Sequence, residues 1–177
     1  MTTPAFTGIN HLGIVTADLD RAVRAWTDRY GVGPWRLYRY DEANMSSEVD
    51  GERLAFEMRV GLCQLENARI ELLQPLDDRS PYAQSLAAHG GADHIHHVRF
   101  DVASYDESAA RLRELGAREV FHAAFQAGGS ADSAPLTATY FATNDELGFT
   151  TEIVGVPDHF AMPEPELVYP PSSRGQD

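Results

Sequence analysis

Polar and apolar positions alternate over residues 9–17, the period of a strand, and then change period. Ala22, Val23, Trp26 and Tyr30 recur at helical spacing, which predicts a short strand running into an amphipathic helix. Asp18 stands where an N-cap would, and Gly31 where a helix stops. Gly33-Pro34-Trp35 breaks the chain, Arg36 to Tyr40 resume an extended pattern, and the polar stretch 41–52 reads as a loop. Strands are expected at 53–63 and 68–75 with a turn at 66–68, so the order is βαβββ.

The same order follows a second time. A strand over 96–103 leads to Ser104 and Glu107, a capping-box pair, with Ala109, Leu112 and Leu115 on one helical face before Gly116. Strands are expected at 117–122, 137–143 and 149–155, with a small-residue loop at 127–134. The segment from Asn10 to Asp20 lies over that from His96 to Asp106 without a gap, at a constant offset of 86 residues. The chain is a duplication. Its expected parts are a first module at 1–78, a linker helix opened by Ser80-Pro81 within 79–92, a second module at 93–156, and a Pro-rich tail at 157–177 that is an extended arm or disordered. The fold class is α+β: two βαβββ modules forming a curved mixed sheet around a cleft, with helices on the outer face.

Strand parity selects the chemistry. His11, Gly13 and Val15 share a face, opposite Leu12 and Ile14, which turn towards the helix. Equivalent groupings are His97 with Arg99 and Asp101, Arg69 with Glu71 and Leu73, and Thr150 with Glu152 and Val154. If each half-sheet is concave on its non-helical face, His11, Glu71, His97 and Glu152 converge. A carboxylate in a sheet interior costs several kcal/mol unless it is compensated, and two imidazoles with two carboxylates balance a divalent cation. His96 falls on the opposite face and reaches the site only through a register slip. His89 and His94, in a glycine-flanked linker, read as solvated.

Composition narrows the partners. The net charge of −13 argues against nucleic acid and anionic membrane. No apolar run approaches the roughly 20 residues that span a bilayer, and a cytoplasmic location is the expectation. The single cysteine, Cys63, excludes an intrachain disulfide and a cysteine-based zinc site, and reads as strand filler. All 14 basic residues are arginine, which excludes lysine Schiff-base chemistry.

These residues resemble the vicinal oxygen chelate superfamily, which includes glyoxalase I, methylmalonyl-CoA epimerase, extradiol dioxygenases and the fosfomycin and bleomycin resistance proteins. The likeness spans residues 8–156 and is nearest to the epimerase and glyoxalase-like members. It rests on Asn10-His11-Leu12-Gly13-Ile14, on 70–76 with the following 77–86, on His96-His97-Val98, and on Gly148-Phe149-Thr150-Thr151-Glu152-Ile153. The resemblance places metal ligands at His11, Glu71, His97 and Glu152, for Ni, Co, Zn, Mn or Fe. Glutamate at position 71 is the glyoxalase I pattern; the epimerase usually carries glutamine there. It also places a catalytic carboxylate near Glu57, within Ala55-Phe56-Glu57-Met58.

The activity so implied is that of a metal-dependent isomerase or lyase, abstracting a proton α to a metal-chelated carbonyl of a small carbonyl or thioester substrate. Glu57 is the candidate base for epimerisation, and Glu152 or Glu71 for a glyoxalase-type shift. Arg99 reads either as an anchor for a substrate anion or as a partner of Asp101 or Glu71, and Glu57 alternatively as a solvent-facing partner of Arg59 or Arg53. Trp35 and Tyr140 are the candidate substrate contacts, with Tyr38 and Tyr40 beside Trp35. Two other functions fit the superfamily: a non-catalytic binding or antibiotic-resistance protein, and an Fe(II) extradiol dioxygenase. For the dioxygenase Glu71 is a superfluous fourth ligand, and for the epimerase no Lys-rich patch awaits a CoA phosphate. A homodimer is expected from the family likeness and from exposed sheet edges.

Overall fold

The computed structural model describes residues 6–126, 128 and 134–171. Most of the small-residue loop at 127–134 therefore lies outside the described residues. Eleven strands form one sheet in the order β11-β2-β5-β6-β1-β7-β10-β9-β8-β3-β4. The first module supplies β1 (Gly8–Val15), β2 (Trp35–Tyr40), β5 (Met58–Gln64) and β6 (Arg69–Pro75), and the second supplies β7 (His94–Asp101), β8 (Arg118–Phe125), β9 (Leu136–Ala142) and β10 (Thr150–Gly155). The modules join where β1 runs antiparallel to β7. Each of these two strands is paired in parallel on its other side, β1 with β6 and β7 with β10.

Chain connectivity forces this sheet to curl. β2 and β3 (Met45–Val49) stand eight strand positions apart, about 38 Å if the sheet were flat. Only residues 41–44 connect them, and such a link spans at most about 18 Å. The two flanks must therefore approach each other, and Tyr40 of β2 meets Phe125 of β8 edge-on at 4.9 Å. The polar stretch read as a loop is thus a crossover. β3 pairs with β8 of the other module and turns back into β4 (Glu52–Arg53), so the strand expected at 53–63 is interrupted between β4 and β5.

The outer face carries two helices. α1 (Leu19–Tyr30) is capped by Asp18, whose side chain accepts from the Arg21 N–H, and stops at Gly31 with φ 68°, a backbone conformation that suits glycine. It packs Leu19, Ala22 and Val23 on Trp35, Leu37, Ile70 and Leu72; Tyr30, expected on that face, is exposed. α3 (Tyr105–Glu114) is capped by Ser104 and buries Ala109 and Leu112 against Phe141 and Ile153. α2 (Pro81–Ala88), capped by Ser80, instead contributes Tyr82 to the cluster inside the cleft. A single turn, α4 (Asn144–Leu147), precedes β10.

Beyond β10 the chain crosses both modules. Phe160, Met162 and Pro163 line the cleft, the Glu166 N–H donates to Leu37 O, and β11 (Leu167–Tyr169) pairs with the outer edge of β2. Among the described residues no helix is long and apolar enough to cross a membrane.

Candidate metal centre

The pairing registers of the central strands explain why four distant residues meet. His11 on β1 is opposite both Arg69 on β6 and Arg99 on β7, and Arg99 is opposite Glu152 on β10. One residue row along, Gly13 is opposite both Glu71 and His97. Registered neighbours project from the same face, so two rows deliver one imidazole and one carboxylate each to the concave side. Gly13 makes this possible, since a Cβ there would stand 2.0–2.5 Å from the His97 ring. The imidazole occupies the space that any other residue at 13 would fill.

Each carboxylate lies against both imidazoles, which touch each other. His11 Nε2 and His97 Nε2 are 3.0 Å apart. Glu152 Oε2 lies 2.9 Å from His11 Nε2 and 3.3 Å from His97 Nε2, and Glu71 Oε2 lies 3.3 Å from each. Two donors each about 2.1 Å from one cation, at right angles, would be about 3.0 Å apart. Glu152 Oε2 nevertheless accepts no hydrogen bond despite being buried. Its 2.9 Å approach to His11 Nε2 does not have hydrogen-bond geometry. His11, Glu71 and His97 form a cluster that could hold a metal ion, and the buried, orphaned Glu152 oxygen beside both imidazole nitrogens fits a fourth donor to it.

The electrostatics of the metal-free cluster follow from burial and mutual charge. Burial alone would disfavour the His97 imidazolium, but the adjoining Glu152 and Glu71 carboxylates outweigh it and raise the group to about 9. Burial likewise opposes ionisation of both carboxylates. The His11 and His97 interactions overcome it, holding Glu71 below and Glu152 well below the usual carboxylate range.

The surroundings depart from the sequence expectations at several places. His96 enters the site's periphery: its Nδ1 is 3.1 Å from His97 Nδ1, and its ring packs edge-on to Tyr82 at 5.0 Å. The cause is an irregularity in the β1/β7 register between Gly13 and Ile14, which pair with His97 and Ile95 and leave His96 as the extra residue. Burial, aided by the neighbouring His97, lowers His96 to about 3, so it is a neutral acceptor for the His97 Nδ1–H. Tyr140 lines the cleft as expected, with its ring edge-on to His97 at 5.0 Å and its hydroxyl accepting from Tyr82. Tyr82 was not singled out by the sequence; its only signal is its place just after the Ser80-Pro81 helix start. Trp35 is elsewhere: fully buried under α1, its Nε1 donating to Val32 O. Of the two tyrosines considered beside it, Tyr38 and Tyr40, Tyr40 lines the cleft. Glu57 is not brought to the cluster either. It is half-buried and accepts from Arg39 at 2.8 Å, the alternative expected of it, with Arg39 in place of Arg59 or Arg53. Arg99 lines the cleft with its Nε buried and unbonded, and forms no ion pair among the described residues.

Over residues 10–134 the chain matches the family model of the glyoxalase/bleomycin resistance protein/dioxygenase superfamily. The chain belongs to that superfamily. Comparison with curated protein sequences returns no match. Among solved structures, the methylmalonyl-CoA epimerase of Mycobacterium tuberculosis is 25% identical with a TM-score of 0.60, over 89% of this chain and 94% of that one. A Streptomyces coelicolor methylmalonyl-CoA epimerase variant in complex with 2-nitronate-propionyl-CoA gives 24% and 0.61, over 84% and 94%. A methylmalonyl-CoA epimerase in complex with methylmalonyl-CoA and NH4+ gives 23% and 0.62, over 88% and 99%. The cleft of this superfamily member sets apolar side chains such as Met58, Val60 and Leu73 around His11, Glu71, Arg99 and Glu152, and its four candidate donors come from one chain.

Proposed function

We propose that the protein is a metal-dependent isomerase or lyase that removes a proton α to a carbonyl, with epimerase-like chemistry. The observation that carries this reading is the orphaned Glu152 oxygen packed against two imidazoles, which a second carboxylate also contacts, in the lining of the cleft. The likeness to methylmalonyl-CoA epimerases supports the reaction class. A divalent cation bound by His11, Glu71, His97 and Glu152 supplies Lewis acidity, polarising a chelated carbonyl so that the adjacent C–H becomes acidic.

Within this chain the group that moves the proton is Glu71. Its side chain keeps 14% of its surface and lines the cleft, whereas Glu152 keeps 5%. Glu71 therefore has both access and room to swing. Glu152, registered against Tyr140 and Arg99, serves as a fixed ligand. The apolar walls from Met58, Val60 and Leu73 exclude water and strengthen the electrostatic interactions between them.

The test is solvent deuterium incorporation into α-CH acyl thioesters and 2-oxo acids by protein loaded with Ni²⁺, Co²⁺ or Mn²⁺, together with elemental analysis. His11→Ala and Glu152→Ala should each lose the metal. Glu71→Gln should retain it while exchange falls by roughly 10²–10⁴-fold. Absence of exchange with every such compound, or full metal retention in both alanine variants, overturns the reading.

A further inference from the structure

The duplication is broken at two positions, and both breaks place positive charge on the same side of the metal centre. Gly13 on β1 corresponds to Arg99 on β7, 86 residues on, and Arg69 on β6 corresponds to Thr150 on β10, 81 residues on, the spacing that relates Glu71 to Glu152. A symmetric cleft would carry an arginine in both residue rows or in neither. Here the row of Gly13 and Thr150 is filled by the His97 ring, while the row of His11 has a guanidinium-bearing residue on either side, Arg69 on β6 and Arg99 on β7.

Neither arginine is neutralised. Both line the cleft and neither forms an ion pair among the described residues, although seven other arginines do. Arg69 Nε donates to Gln64 Oε1 at 3.0 Å, a neutral contact that orients the fork without cancelling its charge. Arg99 Nε is buried with no acceptor among the described residues, a condition that costs free energy unless a ligand supplies one. The two carboxylates and a divalent cation sum to zero charge, so the arginines leave this side of the cleft at +2 in a chain whose net charge is −13. The attraction is therefore local, and acts on a group near the chelating oxygens. Much of the rest of the wall, Leu62, Leu73, Leu136 and Phe160 among others, is apolar.

Resting on the metal-centre reading above, we infer that Arg69 and Arg99 form a carboxylate subsite, and that the substrate is a small carbonyl acid. It carries its carboxylate within a few bonds of the chelated carbonyl and an alkyl or aryl tail against the apolar wall. Guanidinium forks match a carboxylate edge, and neighbouring strands separated by about 4.8 Å set them one residue width from His11.

Phenylpyruvate and its methyl ester are suitable probes, titrated by calorimetry into the metal-loaded protein and into loaded Arg69→Met and Arg99→Met, with metal content measured on each. Each substitution should leave the metal in place and weaken phenylpyruvate by roughly ten- to a hundredfold, with little change for the ester. Arg99→Lys should recover part of the loss. Equal weakening of acid and ester, an acid affinity unchanged within twofold, loss of metal from Arg99→Met, or failure of loaded wild-type protein to bind phenylpyruvate would each overturn the carboxylate subsite. A wild-type protein that holds no metal would instead sink the underlying centre.

Discussion

At Gly13 the absence of a side chain is a structural requirement of the neighbouring strand. The His97 ring lies where a Cβ would be, so Gly13→Ala forces the imidazole out of line with His11 and the carboxylates. The expected outcome is a folded protein destabilised by about 1–3 kcal/mol through overpacking and weakened at least tenfold in metal affinity. Denaturant melts with metal titration check this, and unchanged affinity would show that His97 is not held by that gap. His11, Glu71, His97 and Glu152 were legible in the sequence because duplication and strand parity state the same thing twice. His96 was not, because parity assumes an unbroken register and no Gly or Pro on β7 marks the irregularity beside it. Trp35 was misplaced for a related reason. β2 buries residues on both faces, so an aromatic there carries no information about which side it takes.

Among the elements, those built on local rules formed as expected. The caps at Asp18, Ser80 and Ser104 are all hydrogen-bonded to the N–H three residues on. What local pattern could not show was partnership. The polar residues 41–52 hold β3 and β4 because β8, far away in sequence, offers them an edge; alone they read as loop. The Pro-containing tail likewise becomes an arm only because β2 accepts β11. That arm supplies Phe160, Met162 and Pro163 to the cleft, and Phe160 is partly buried there. Phe160→Ala is therefore expected to weaken binding of an apolar-tailed carbonyl ligand about tenfold, through the loss of a phenyl wall worth roughly 1.5–3 kcal/mol when fully covered. Melting temperature should move little, because the core clusters do not include residue 160. Equal losses in binding and stability would make the arm a fold element instead of a ligand wall.

For the whole molecule, metal binding, protonation and stability are one linked equilibrium. In the metal-free protein His97 is raised to about 9 by Glu152 and Glu71 against the opposing effect of burial. A group raised in the folded state contributes stability that is fully present below its unfolded value near 6.5, and that is lost as pH climbs through about 9. A cation needs the Nε2 lone pair of His97 and so displaces that proton, while the Nδ1–H can stay on His96. Metal affinity should therefore rise about tenfold per pH unit between 7 and 9 and level off above, with close to one proton released per ion, measurable by calorimetry in buffers of differing ionisation enthalpy. The two forms then diverge. Metal-free protein loses melting temperature from pH 7 to 9.5, whereas protein in fixed excess of metal gains about 1.4 kcal/mol for each tenfold of affinity, set against that loss. A pH-independent affinity over this range would mean that His97 is already neutral in the metal-free cluster. The Glu71 and Glu152 carboxylates would then lack the His97 imidazolium that helps offset their burial.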